Sequence, residues 1–158
     1  MGKIVVYGYG NPGRQDDGLG PAMARRIGES GISGVETDSN YQLNIEDAAF
    51  IADADCVVFV DASLAGDGPF DFVEIGPSEE ITFTTHSVSP QSVLALCQDL
   101  FGRNVRAYLM GIRGYAWDFA EGLSPDAEKN LDAAHDYLRS FINDLSAGID
   151  PDRAITLH

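Results

Sequence analysis

Three places in this sequence carry side chains that could hold a cation or activate a water molecule: the acidic pair Asp16-Asp17, Asp61, and His86. Asp16 and Asp17 follow the glycine-rich stretch Gly8-Tyr9-Gly10-Asn11-Pro12-Gly13. Asp61 closes the apolar run "CVVFVD", and His86 lies in "FTTHSVSP", just ahead of a helical pattern that opens at Ser89-Pro90. Two carboxylates and an imidazole from three separate loops form an oxygen and nitrogen ligand set that suits zinc, nickel or iron with positions left open. Each group also has a plain structural role available. Asp16 or Asp17 could cap the helix that follows, where a carboxylate accepts unpaired N–H groups and complements the helix dipole. Both cannot fill one cap position, which assigns Asp16 to structure and Asp17 to function. Asp61 alone could be another cap and His86 alone a hydrogen-bonded loop residue, while His135 and His158 read as solvated or incidental.

The glycine-rich stretch satisfies G-x-G-x-x-G, the fingerprint of a dinucleotide-binding loop, and Asp38 stands where that fingerprint places its ribose-binding acid. That fold wants its third glycine in the first helical turn and a pyrophosphate on the bare helix N-terminus. Here Pro12 stiffens the loop, and Asp16 and Asp17 stand where phosphates would come. Carboxylates facing a pyrophosphate at close range would cost several kcal/mol without an intervening metal. The cation reading is therefore preferred, and a dinucleotide- or flavin-binding protein using Gly8 to Gly13 stays as an alternative.

The elements that must position these groups follow from hydrophobic pattern. Residues 3–7, 35–38, 56–60, 71–75 and 105–112 read as strands, being short, rich in Val, Ile, Phe and Tyr, and bounded by Gly, Asp or Pro. The first, third and last look buried on both faces. Residues 19–29 place Leu19, Met23 and Ile27 on one helical face, and 44–53 offers Ile45, Ala48, Ala49 and Ala52 behind an Asn44 cap. Ser89-Pro90 and Ser124-Pro125 each open a further helix, ending at Gly102 and Gly148. Strands alternating with helices predict a three-layer α/β/α sandwich around a mostly parallel, twisted sheet of about five strands, with ligand sites at the carboxyl ends of the strands.

The chain has 158 residues, enough for one domain with a substantial core, here residues 1–149 followed by a tail, 150–158. Cys56 and Cys97 lie in apolar runs and read as buried thiols rather than a disulfide or metal pair. Asp and Glu number 25 against 10 Lys and Arg, and no Lys or Arg occurs between Arg26 and Arg103. Such a surface repels a polyphosphate backbone, so nucleic acid is excluded as the expected partner. No stretch has the pattern of a signal peptide or a membrane span, and the expectation is a cytoplasmic protein with no membrane association.

Taken together, "GYGNPGRQDDGLG", "VVFVDAS" and "THSVSPQSVLAL" resemble the C-terminal endopeptidases that mature nickel-iron hydrogenases. The likeness continues through "TDSNYQLNIEDA", "LMGIRGYAWDF" and "LSPDAEKNL", and so runs from residue 3 to about residue 145. It implies a peptidase that removes a short C-terminal extension from the hydrogenase large-subunit precursor once nickel has been inserted. The family's metal-binding, catalytic residues fall on Asp17, Asp61 and His86, with Gln91 at an alternative position for the histidine. Gly8, Gly10, Asn11, Asp16 and Gly18 form the supporting loop.

The metal implied is nickel carried by the substrate, with zinc or cadmium able to occupy the same ligands. An aspartic mechanism, in which Asp17 and Asp61 share a proton, is the competing chemistry. A non-catalytic nickel chaperone would keep the same three residues and cut nothing. The loop "RGYAWDF" presents Tyr115 and Trp117 as either a hydrophobic plug or a contact for the large subunit.

Overall fold

The computed structural model describes residues 2–78, 83–84 and 87–149. The chain runs β1 (Ile4–Tyr9), a 3₁₀ segment (Pro12–Gly18), α1 (Leu19–Glu29), β2 (Val35–Asn40), α2 (Asp47–Ala52) and β3 (Cys56–Ser63). It continues with β4 (Phe70–Ile75), a short antiparallel pair β5 (Phe83–Thr84) and β6 (Ser87–Val88), α3 (Pro90–Phe101), β7 (Arg106–Arg113) and α4 (Pro125–Ser146). His86 and residues 150–158 lie outside the described residues. None of the helices is long and apolar enough to cross a membrane, among the described residues.

The main sheet has five strands in the order β2-β1-β3-β7-β4, all parallel except β4, which runs antiparallel to β7. Only six residues, 64–69, join β3 to β4, too few for a crossover, so the chain must turn back antiparallel. The strands run further at their carboxyl ends than their apolar runs suggest. Tyr9 pairs with Asn40, and Asp61 pairs with Gly111, so Asp61 belongs to β3 itself rather than to the loop beyond it.

Side chains alternate across the sheet and build two cores. Ile4, Val6, Val58, Val60, Met110 and Ile112 face α1 and α4; Val5, Tyr7, Val57, Phe59 and Ala107 face α2 and α3. The antiparallel edge is closed by aromatic packing: Phe72 stacks on Tyr108 at 5.3 Å and meets Phe141 of α4 edge-on at 4.9 Å. Cys56 and Cys97 are free, buried, and in opposite cores.

The Ser-Pro openings behave as caps. Ser89 accepts from the N–H of Ser92 and Ser124 from that of Ala127. α2 departs from expectation: Asn44 to Glu46 form a lead-in of i to i+3 bonds, and the α-helix starts only at Asp47. The tighter turn rotates the face, leaving Ile45 and Ala49 exposed and burying Ile51 with Ala48 and Ala52. The Asp47 carboxylate fixes this entry by accepting from the Asn44 N–H and the Tyr7 hydroxyl, both at 2.8 Å.

Candidate active site

The carboxyl ends of β1 and β3 lie side by side, and the loop leaving β1 is folded back over them. Gly10 makes the reversal with φ at +143°, and a Cβ there would fall 2.0 Å from the Asp17 carbonyl oxygen. The Asn11 side chain caps the 3₁₀ segment through the Gly13 N–H, while the Asn11 N–H donates to Asp17 Oδ2 at 2.8 Å. These contacts turn Asp17 back toward the strand ends.

Asp16 has the structural role expected of it, but not as a cap of α1, whose N-cap is Gly18 and which has no side-chain cap. Its side chain, 0 % exposed, points the opposite way and accepts four hydrogen bonds: from the N–H groups of Tyr115 (2.7 Å), Ala116 (2.9 Å) and Ser124 (2.8 Å), and from the Ser124 hydroxyl (2.7 Å). These bonds hold the carboxyl below the usual carboxylate range despite its burial. Gln15, between the two segments, takes φ 49° and ψ −112° and is held by Ala120 and Asp118. The first loop and the loop after β7 are thus one unit.

Asp61 is half-buried on the α2/α3 side of β3. Its Oδ1 accepts from the Ala62 N–H at 2.8 Å, and Tyr9, one residue past the Gly8–Val60 pair, is its neighbour at the strand ends. Burial pushes its pKa up to about 6, with the negative charge of nearby Asp17 adding to the rise against the lowering effect of the Ala62 N–H and the neighbouring Tyr9 phenol. Asp17 and Asp61 therefore lie near enough for the charge of one to act on the other. Among the described residues no group of three His, Cys, Asp or Glu forms a metal cage. The third candidate, His86, lies outside them. A sequence reading misses Tyr9, although the apolar runs of β1 and β3, aligned end to end, would have placed it beside Asp61.

A cleft of about 380 Å³ opens at Asp61 between β3, β7 and β4, walled by Leu64, Val73, Leu109 and Gly111. A larger cleft of about 660 Å³, lined by Pro12, Pro21, Arg25 and Leu123, contains neither Asp17 nor Asp61. The phosphate reading of the glycines meets a geometric obstacle. Gly13 lies within the 3₁₀ segment, six residues before α1, and the start of α1 is pressed onto the strands: a Cβ on Gly8 would lie 2.0 Å from the Gly20 carbonyl oxygen. No open helix N-terminus remains there for a pyrophosphate.

In the expected aromatic loop, Trp117 is half-buried, its ring 2.9 Å from where a side chain on Gly114 would begin. The exposed aromatics are Tyr115 and, above all, Phe119, 87 % exposed, with the Arg14 guanidinium 5.3 Å from its ring centre.

This architecture is shared with solved structures of known proteins. A [NiFe] hydrogenase maturation protease HycI from Thermococcus kodakarensis KOD1 aligns with a TM-score of 0.67 at 23% identity, covering 86% of this chain and 89% of that one. The chain has the fold of the hydrogenase maturation proteases. The hydrogenase maturating endopeptidase HybD from E. coli aligns with a TM-score of 0.70 at 19% identity over 92% of this chain and 94% of that one. HybD from Thermococcus kodakarensis aligns at 0.65 and 19% over 87% and 97%. No protein-family model matches the sequence, and no curated protein matches it significantly.

Proposed function

We propose that this chain is a peptidase that removes the C-terminal extension of a nickel-iron hydrogenase large-subunit precursor after nickel insertion. The observation that carries the proposal is the nearness of Asp17 to a half-buried Asp61 at the strand ends, in the fold of proteins named as hydrogenase maturation endopeptidases. Two neighbouring carboxyl groups are an oxygen donor set suited to a divalent cation.

In this reading Asp17, Asp61 and His86 hold the nickel that arrives as part of the substrate, so that metal loading and tail recognition are one event. A metal bound there would lower the pKa of a water and polarise the scissile carbonyl. Asp17 is oriented by the Asn11 N–H and Asp61 by the Ala62 N–H. The cleft beside Asp61 offers the extended tail an apolar wall. The raised pKa of Asp61 favours a second reading as well, in which the two aspartates share a proton and activate water without metal.

The test is intact-mass spectrometry of nickel-loaded precursor incubated with the native protein and with Asp17→Asn. Loss of a short C-terminal peptide with the native protein alone is the expected result. A precursor that is bound but uncut would replace the peptidase with a nickel chaperone, and full activity after removal of all nickel would favour the aspartic mechanism.

A further inference from the structure

Arg113 is the last residue of β7 and is paired with Ser63, the last residue of β3. It follows Gly111, the partner of Asp61, by two residues. Alternation therefore puts it on the same face, just past the residues that line the cleft beside Asp61. Its half-buried guanidinium donates through Nη1 to the Gly66 carbonyl and stands 5.3 Å from the centre of the Tyr115 ring. Arg14, in the loop that carries Asp17, repeats the arrangement. Its Nη2 donates to the Trp117 carbonyl at 3.2 Å, and the group stands 5.3 Å from the Phe119 ring centre. Each arginine is thus fixed by a carbonyl oxygen and an aromatic face, neutral partners that hold a guanidinium without cancelling its charge.

With 25 acidic residues against 10 Lys and Arg, an arginine that has no acid beside it is the exception to explain. Among the described residues the ion pairs take up Lys3, Arg26 and Arg106. Arg14 and Arg113 make none there, although Asp71 lines the cleft and Asp118 lies in the aromatic loop. The Nε of each is buried with no partner, and each keeps a second terminal nitrogen after its carbonyl bond.

We propose that Arg113 and Arg14 bind carboxylate groups of the C-terminal extension, the spare Nη of each donating to a carboxylate oxygen. A planar guanidinium held in place is suited to that group. The carboxylate is either the terminus of the extension, which every polypeptide has, or an Asp or Glu side chain within it. On a surface that otherwise repels anions, fixed cations beside the aspartates give such a group a defined place to settle. This inference rests on the peptidase reading.

Arg113→Gln and Arg14→Gln each remove one charge at the strand ends. Arg139→Gln removes the same charge from an exposed position in the second half of α4. KM for nickel-loaded precursor should rise about 10-fold in each of the first two and stay at the native value in the third. Arg113→Lys, which keeps the charge and loses the planar fork, should fall between. Added salt should raise the KM of the native protein more steeply than that of Arg113→Gln. Two altered precursors identify the source: one has Asn and Gln in place of every Asp and Glu of the extension, and the other ends in an amide. The precursor that lacks the bound carboxylate should show the raised KM with native protein, and Arg113→Gln should raise it no further.

Native KM in both Arg113→Gln and Arg14→Gln overturns the inference and leaves the peptidase reading standing. So does an equal rise in Arg139→Gln, which would make the effect one of net charge. A rise that tracks a fall in Tm and is undiminished on both altered precursors also overturns it, since the arginines would then only clamp their loops. Native protein that fails to cut loaded precursor overturns both readings together.

Discussion

Asp16 and Ser124, 108 residues apart in sequence, are joined by two hydrogen bonds, the Ser124 N–H donating to Oδ1 at 2.8 Å and its hydroxyl to Oδ2 at 2.7 Å. The same hydroxyl accepts from the Ala127 N–H as the N-cap of α4. One buried carboxylate therefore ties the loop that carries Asp17 to the start of the longest helix, and with Tyr115 and Ala116 to the loop between β7 and α4.

Removing that carboxylate would strand three backbone N–H groups and loosen a cap. Unsatisfied buried groups cost about 1–3 kcal/mol each, and partial hydration on loosening brings the expected loss for Asp16→Ala to about 4 kcal/mol. Urea denaturation of the variant against the native protein measures it. A loss under about 1 kcal/mol would mean that the two loops are held by other contacts.

Asp61 gives a pH dependence of definite sign. Its folded pKa, about 6, lies above its ordinary value of 3.8. Folding thus favours the protonated form, and this contribution is complete below pH 3.8 and lost as the pH rises through about 6. Asp61→Asn keeps the acceptor for Ala62 and cannot ionise. At about 1.4 kcal/mol per pH unit, reduced for partial solvent screening, the metal-free variant should be more stable than native protein by about 2 kcal/mol at pH 8. The two should converge near pH 4. Equal stability at both pH values in denaturant titrations would show that Asp61 ionises without penalty.

The aromatic loop separates into a plug and an exposed group. Trp117 packs against Gly114 beside the Asp16 anchor, so Trp117→Ala should cost about 3 kcal/mol. Phe119 stands in solvent over Arg14, and Phe119→Ala should leave stability within about 0.5 kcal/mol. If this loop contacts the large subunit, Phe119→Ala should raise KM for the precursor severalfold with kcat intact. Thermal denaturation and a precursor titration read the two effects separately, and an unchanged KM would remove Phe119 from the interface.

The sheet and its four helices were legible because each apolar run is short, punctuated and of clear period. Ser89-Pro90 and Ser124-Pro125 mark their helices to the residue. Strand ends were less so: Tyr9 and Asp61 lie past the apolar runs, and they are held in the sheet by pairing with neighbours, which a single segment does not reveal. The start of α2 was missed because a carboxylate contact with Tyr7, 40 residues earlier, decides it. Asp16 was assignable to structure by the argument that two acids cannot share one cap. Its actual partners lie about a hundred residues away, where no local rule reaches.

The glycines show how a motif can match for a different physical reason. Gly8, Gly10 and Gly13 satisfy the spacing of a phosphate loop, yet what the fold demands at this end of β1 is room for backbone. The start of α1 crosses the strand ends so closely that a Cβ on Gly20 would lie 2.5 Å from the Val60 carbonyl oxygen and 2.6 Å from that of Tyr9. Neither oxygen belongs to a side chain that could swing aside. Gly20→Ala must therefore push α1 away from β1 and β3, pulling Asp17 from Asp61. The cost should be about 3 kcal/mol, and any folded variant should fail to cut nickel-loaded precursor if the proposed function holds. Soluble Gly20→Ala with native Tm and native cleavage would show that α1 can lift from the strands without disturbing the pair.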